Sequence, residues 1–256
     1  MGTVSIARAL SKLGVCSRAE GERLVDSGRV TVGDTVVRDR ALRVRPEKDH
    51  IAVDGARVGK VQHVYVALNK PRGLVTTHND PQGRATIYEC LQDGALPFLG
   101  PVGRLDKASE GLLLLTNDTR WSATVLDPAS HIDKTYHVQV RLAVREDAGE
   151  QMVLRVAGGV IDGDTGERLV VKQVSLLRVG SRSSAWLEIV LDEGKNRHIR
   201  RVLDALGVEV MRLVRVSIGP LALGTLAKGA WRRLTESEVA ELRVLGGGAT
   251  AGRPST

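Results

Sequence analysis

Apolar residues recur at helical spacing where the chain begins, at Ile6, Leu10 and Leu13, and Gly14 ends that run. Ser17 stands at the N-cap position of a second helix, with Glu20 three residues on as its capping-box partner. Leu24 and Val25 give that helix its apolar face, and Gly28 stops it. The period then shortens to two. Val30/Val32, Val36/Val37 and Ile51/Val53 read as short strands, with Gly33-Asp34 as a hairpin turn.

From residue 64 onward strands dominate. A strand over 64–68 is stopped by Asn69-Lys70-Pro71-Arg72-Gly73, and 112–115 reads as a buried strand. Asp118 caps a short helix that Pro128 closes. Tyr136, Val138, Val140 and Leu142 share one face of an alternating strand, and His137, Gln139 and Arg141 the other. A helix from about Arg145 ends at Gly158-Gly159, and 169–179 and 185–191 are strands. A helix over 196–206 turns Ile199, Val202, Leu203 and Leu206 inward. A strand over 208–218 and a helix over 236–245 follow. The fold class is α+β with many strands. The pattern divides into a small unit over 1–60, a large one over 61–243, and a Gly/Ala/Ser/Pro-rich tail over 244–256 that reads as disordered.

Charge adds a partner class. The 256 residues carry a formal net charge of +7. Residues 1–60 hold 12 Lys+Arg against 8 Asp+Glu, so +4 of it lies in the small unit. A basic balance points to nucleic acid or an anionic surface. Aromatics make up only 3%, which argues against recognition by rows of stacking platforms. Two distant cysteines, Cys16 and Cys90, indicate free thiols in a reducing compartment. No apolar stretch approaches a membrane span and no signal-peptide core opens the chain, so a cytoplasmic protein with no membrane partner is expected, by default a monomer.

Several chemistries are missing from the sequence. There is no Walker loop and no GxGxxG, the six histidines form no metal pair, and no nucleophile elbow is present. Four segments concentrate Gly, Lys/Arg and polar residues beside apolar strands: NKPRG (69–73), GRLDKASEG (103–111), KTY (134–136) and EGKNRHIRR (193–201). Each has a bland explanation. Asp106 could cap its turn, Tyr136 could be a core tyrosine, and the arginine-rich helix could be a solvated face. Together they place a carboxylate among arginines in a basic protein, which suits chemistry on a nucleic-acid sugar or base.

GRLDKASEGLLLLTND (103–118) resembles the signature segment of the pseudouridine synthases, in the form carried by the RsuA/RluB-type ribosomal RNA enzymes. The resemblance continues in order through NKPRGLVTT, DPQGRATI, KTYHVQV, EGKNRHIRRVLDALG and RLVRVSIGPLALGTL, covering about residues 64–236. Ser109 stands where threonine is usual. IARALSKLGVCSRAEGERLVDSGRVTVGDTVV (6–37) resembles the S4-type RNA-binding domain, with departures at Ser5, Ala19 and Gly33-Asp34.

The resemblance implies an S4-like module of two helices and short strands, then a catalytic domain with a central, mostly antiparallel sheet flanked by helices. It implies isomerisation of uridine to pseudouridine in a structured stem-loop of ribosomal RNA, in the large subunit, with no cofactor and no metal. Asp106 is the essential carboxylate, acting on ribose as nucleophile at C1′ or as base at C2′. Tyr136 packs on a base extruded from the duplex, and Arg200 pairs with Asp106 and keeps it charged. Arg104 fills the vacated stack or holds a phosphate. Lys70, Lys195, Asn196, Arg197 and Arg201 are expected as phosphate or base-edge contacts, and Arg8, Lys12, Arg18 and Arg29 as those of the small module. Two other classes compete. A non-catalytic RNA-binding factor has no use for a buried carboxylate facing phosphates, and a nucleoside glycosylase would release free uracil.

Overall fold

The computed structural model describes residues 2–59, 62–92, 95–141, 148–180 and 184–247. In the small unit β1 (Val4–Ser5) leads into α1 (Ile6–Lys12), and α2 (Arg18–Asp26) packs against it. Ser17 Oγ accepts the Glu20 amide at 3.1 Å, but the Glu20 carboxylate turns to Arg23, so half of the expected capping box forms. Then come β2 (Val30–Val32), β3 (Thr35–Val37), β4 (Arg43–Val44), β5 (Ile51–Val53) and β6 (Ala56–Arg57). β3-β2-β5-β6 form one antiparallel sheet and β1 pairs with β4. Ile6, Leu10, Val25, Val30 and Ile51 close the core between helices and sheet. The boundary expected at 60/61 falls on residues outside those described.

The large unit supplies β7 (Tyr65–Lys70), β8 (Gly100–Val102), β9 (Glu110–Thr116), α3 (Thr119–Leu126), β10 (Lys134–Arg141), α4 (Ala148–Ala157), the hairpin β11 (Val160–Ile161) and β12 (Arg168–Leu169), β13 (Gln173–Gly180), β14 (Ser184–Leu191), α5 (His198–Ala205), β15 (Val210–Ile218), β16 (Leu221–Ala222), β17 (Trp231–Arg233) and α6 (Glu236–Gly247). The main path of its nine-stranded sheet is β13-β14-β10-β15-β9-β7-β17. Every neighbour on that path is antiparallel except β15 and β9, which run parallel.

That parallel contact joins two half-sheets. Only Val214↔Glu110 and Arg215↔Gly111 are in register. One half packs Val138, Val140, Leu187 and Ile189 against α4 and α5. The other buries all seven residues of β9, with α3 and α6 on one face and the turn at Ile87–Leu91 on the other. At the joint Gly111 has φ +102°, and a Cβ there would stand 2.2 Å from the Arg215 carbonyl oxygen. Glu110 is buried beside it. Its carboxylate accepts from Arg212 Nε at 2.8 Å and Nη2 at 3.1 Å and meets Lys228 Nζ at 2.5 Å. The Arg212 hydrogen bonds above all hold its pKa down to about 2.

The short strands β1, β4, β6, β8, β16 and β17 were not expected, and several expected bounds shift. β7 runs through Asn69 and Lys70, which continue the pairing with β9. The strand expected over 169–179 is two pieces, β12 and β13. α5 begins at His198, because Arg197 is left-handed at φ +50°. α6 reaches Gly247, so residues 244–247 are helical and not tail, with Gly246 buried beside Thr124. Leu142, the helix start near Arg145 and residues 248–256 lie outside the described residues.

Gly111→Ala is expected to destabilise the fold by at least about 3 kcal/mol, from overpacking plus a disfavoured φ. Gly73 has nearly the same φ, +101°, with open space around it, so Gly73→Ala is expected to cost only about 1 kcal/mol. Urea unfolding midpoints of the two variants measure the difference.

Candidate active site

The loop 103–109 between β8 and β9 is held by its carbonyls. Thr76 Oγ1 donates to the Leu105 oxygen at 2.7 Å. Lys70 Nζ donates to Asp106 O at 3.1 Å and to Ser109 O at 2.9 Å. The Gly73 amide donates to Lys107 O at 2.8 Å, and Arg200 Nη2 donates to Ala108 O at 3.1 Å. Five consecutive carbonyls are thus satisfied by the stretch 70–76 and by α5, fixing the backbone without using the Asp106 side chain.

The Asp106 carboxylate accepts no hydrogen bond among the described residues, so it does not cap its turn. Its ion-pair partner is Arg197, with Nη1 at 3.7 Å from Oδ2. The side chains are 54% and 35% exposed, so the pair sits at a wet mouth. The expected Arg200–Asp106 pair does not form. Arg200 lies one turn further along α5, where its Nη2 donates to Ala108 O and its Nε is buried without a hydrogen-bond partner among the described residues. Burial, then the charge of Arg197, lowers its pKa, while Asp106 opposes that shift.

Behind the mouth lies a cavity of about 410 Å³. Tyr136 enters from β10, Leu213 and Arg215 from β15, Ile199 and Arg200 from α5, and Arg104 and Asp106 from the clamped loop. Six cationic side chains line it (Arg104, Lys134, Lys195, Arg197, Arg200 and Arg215) against two acidic ones, Asp106 and Glu193. Such a surplus suits an anionic ligand. Asp106 and Arg104 belong to one half-sheet and Tyr136, Arg200 and Arg215 to the other, so the joint at Gly111 sets their spacing.

Several expected RNA contacts are engaged elsewhere. Lys70 is 0% exposed and cannot reach a phosphate; it is a clamp of the Asp106 loop. Desolvation pushes its pKa down to about 8. Arg201 points away from the cavity, to Asp162 at 2.5 Å, Thr165 and Glu167 of the β11–β12 hairpin, and so braces α5. Lys195 meets Glu193 at 2.8 Å and Glu167 at 3.3 Å at the rim. Arg29 is bound bidentate to Asp54. Asn196 and Arg104 remain exposed at the rim, and Arg8, Lys12 and Arg18 make no ion pair among the described residues.

Lys134, Ser109 and Arg215 line the cavity without having been expected as site residues. The signal for Arg215 was a charge at an inward position of β15, two residues from buried Leu213. Nothing in the pattern of Thr76 marked its hydroxyl as a clamp.

Residues 64–205 match the family described as RNA pseudouridylate synthase, and residues 6–51 match the S4 domain. A protein of Aquifex aeolicus named uncharacterized RNA pseudouridine synthase is 38% identical over 244 residues, 94% of either chain. The ribosomal large subunit pseudouridine synthase B of Bacillus subtilis is 32% identical over 241 residues, 94% of this chain and 96% of that one. A solved structure of a pseudouridylate synthase superposes with a TM-score of 0.63 at 26% identity, over 93% of this chain and 99% of the other.

Lys70 generates a pH prediction. Its pKa is near 8 in the fold, below its ordinary value of 10.5, so the unfolded chain holds the proton longer. The group's contribution to stability therefore rises as pH climbs from 8 to 10.5. Wild type is expected to gain on Lys70→Met across that window by on the order of 3 kcal/mol, read from paired denaturation curves. A constant gap would contradict it.

Proposed function

Because the chain belongs to the RNA pseudouridylate synthase family, we propose that it converts one uridine of large-subunit (23S) ribosomal RNA to pseudouridine, with Asp106 as the carboxylate that acts on the ribose. The observation that carries this reading is the clamped loop. Five held carbonyls present an Asp106 carboxylate that has no internal hydrogen-bonding duty to a cation-lined cavity. The likeness to a large-subunit enzyme of Bacillus subtilis supports the choice of RNA.

In this reading the module at residues 1–60 grips RNA through Arg8, Lys12 and Arg18, and the domain at 61–243 does the chemistry. The uridine leaves its stack and enters the cavity. Tyr136 packs on the base. Arg104 and Arg197 meet phosphates at the mouth. Asp106 then attacks C1′ or takes the C2′ proton, the base turns over, and C5 replaces N1 on C1′. The reaction is an isomerisation with no change of oxidation state, so its chemistry asks for no cofactor.

Asp106→Asn is expected to reduce conversion at least about 100-fold while RNA affinity stays the same or tightens, since a negative charge facing phosphates is removed. Carbodiimide labelling of ribosomal RNA from cells with and without the gene, read as reverse-transcriptase stops, provides the assay. One stop lost on deletion and restored by wild type but not by Asp106→Asn is the expected map. An unchanged map would refute a ribosomal target.

A further inference from the structure

The cavity holds two kinds of cation. Arg104 and Arg197 are exposed at its mouth. Arg215 is 6% exposed and Lys134 half-buried, in a lining that includes Val102, Leu191, Leu213 and Ile218. No carboxylate lies within 4 Å of either among the described residues. Arg215 Nε donates to Leu112 O at 2.7 Å, and its Nη2 is buried with no partner. Lys134 Nζ makes one long hydrogen bond, 3.5 Å to Asp192 O. Burial first, and then the charge of Arg215, holds the Lys134 pKa below its ordinary value. A buried donor without an acceptor is costly, so Arg215 Nη2, beside a Lys134 held by one long bond, points to a ligand that brings acceptors.

The backbone aims the two together. Thr135 pairs with Ser217 but Tyr136 with Arg215, so Val216 is an extra residue in β15. Such a bulge re-aims the side chains beside it, and here it sets Arg215 cross-strand from Tyr136.

We infer that Lys134 and Arg215 form a cradle for the extruded base, holding its ring carbonyl oxygens and stabilising the negative charge it carries once its bond to ribose breaks. The inference rests on the isomerisation proposed above. Whether Asp106 bonds to C1′ or removes the C2′ proton, the C1′–N1 bond breaks with its electron pair going to N1 and spreading onto O2 and O4. C5 then bonds to C1′ as Asp106 departs or returns the proton to C2′. The C5 proton leaves and N1 gains one, so atoms and charge balance. Apolar walls such as Val102, Leu191, Leu213 and Ile218 suit a base; a phosphodiester needs none. Preorganised cations in a desolvated pocket act most strongly on charge that develops during reaction.

The test uses the full chain and a stem-loop transcript bearing either uridine or 5-fluorouridine at the modified position, followed as loss of the starting nucleoside in single turnover. Fluorine withdraws electrons and makes the base a better leaving anion, so it lessens the need for the cradle. Lys134→Met and Arg215→Met are each expected to lower the rate on uridine about 100-fold with RNA affinity within about threefold. Arg215→Lys should recover part of the rate. On 5-fluorouridine the deficit should shrink about tenfold. A purely structural role would give the same deficit on both substrates and would overturn the inference. If Arg215→Met does not fold, Lys134→Met decides alone, and turnover within threefold of wild type refutes the cradle. Wild type on uridine is the control for the proposed activity. No product there sinks that activity and the cradle together, whereas normal wild-type turnover with an unaffected Lys134→Met sinks the cradle only.

Discussion

The catalytic unit depends on one close approach of backbone to backbone. Two antiparallel half-sheets meet along β9 and β15 at only two registered pairs, and at one of them the Gly111 Cα stands where any side chain would strike the Arg215 carbonyl. The charges reinforce the contact. Glu110 reaches across to Arg212 and Lys228, and Arg215 reaches back to Leu112 O. With so few ladder bonds, these side chains carry much of the joint's cohesion. A buried carboxylate so enclosed is stable only with its partners in place. Because Asp106 stands on one half and Tyr136, Arg200 and Arg215 on the other, the distances on which chemistry depends are set here and not within either hydrophobic core.

The same joint separates two electrostatic tasks. Cations at the mouth are wet and screened, able to attract a polyanion but worth little in place. Those inside are desolvated, and each acts over a few ångströms in a medium of low polarisability. The clamped loop belongs to the second task. Lys70 gives up contact with solvent altogether to hold two carbonyls of that loop, and burial drives its pKa down to about 8. A charge placed there contributes geometry and no affinity.

Much of this was legible in the sequence because local rules agree with the fold in most places. The two N-terminal helices, the Gly33-Asp34 hairpin, the Asp118 cap and the alternation of Tyr136, Val138 and Val140 follow from periodicity and turn chemistry. The cavity was only partly legible. Segments rich in Gly and Arg marked where it is built, and GRLDKASEG, KTY and EGKNRHIRR all contribute to its lining. Assigning tasks within those segments failed wherever burial decided the matter. Lys70 and Arg201 look like phosphate contacts in one dimension. In three, one is enclosed by the loop it holds and the other is claimed by Asp162 and Glu167 of a distant hairpin. Sequence spacing gives no register between β15 and β9, so the close approach of Gly111 to Arg215 could not be read from it.

The broken rules also converge. Among the described residues, Ser109 Oγ, Arg200 Nε and Arg215 Nη2 are buried without a hydrogen-bond partner. All three residues line the cavity that holds Asp106. Arg197, one of three non-glycine residues at positive φ among the described residues, lines it too. Each orphaned donor and strained dihedral subtracts about 1–3 kcal/mol from a fold that has only about 5–15 kcal/mol to lose. Chance would scatter such defects across the molecule. Their concentration at one place, in a protein whose two units otherwise satisfy their cores, is what a preorganised site looks like before its ligand arrives: groups held ready by the surrounding structure, at a cost in stability that the ligand's own acceptors relieve.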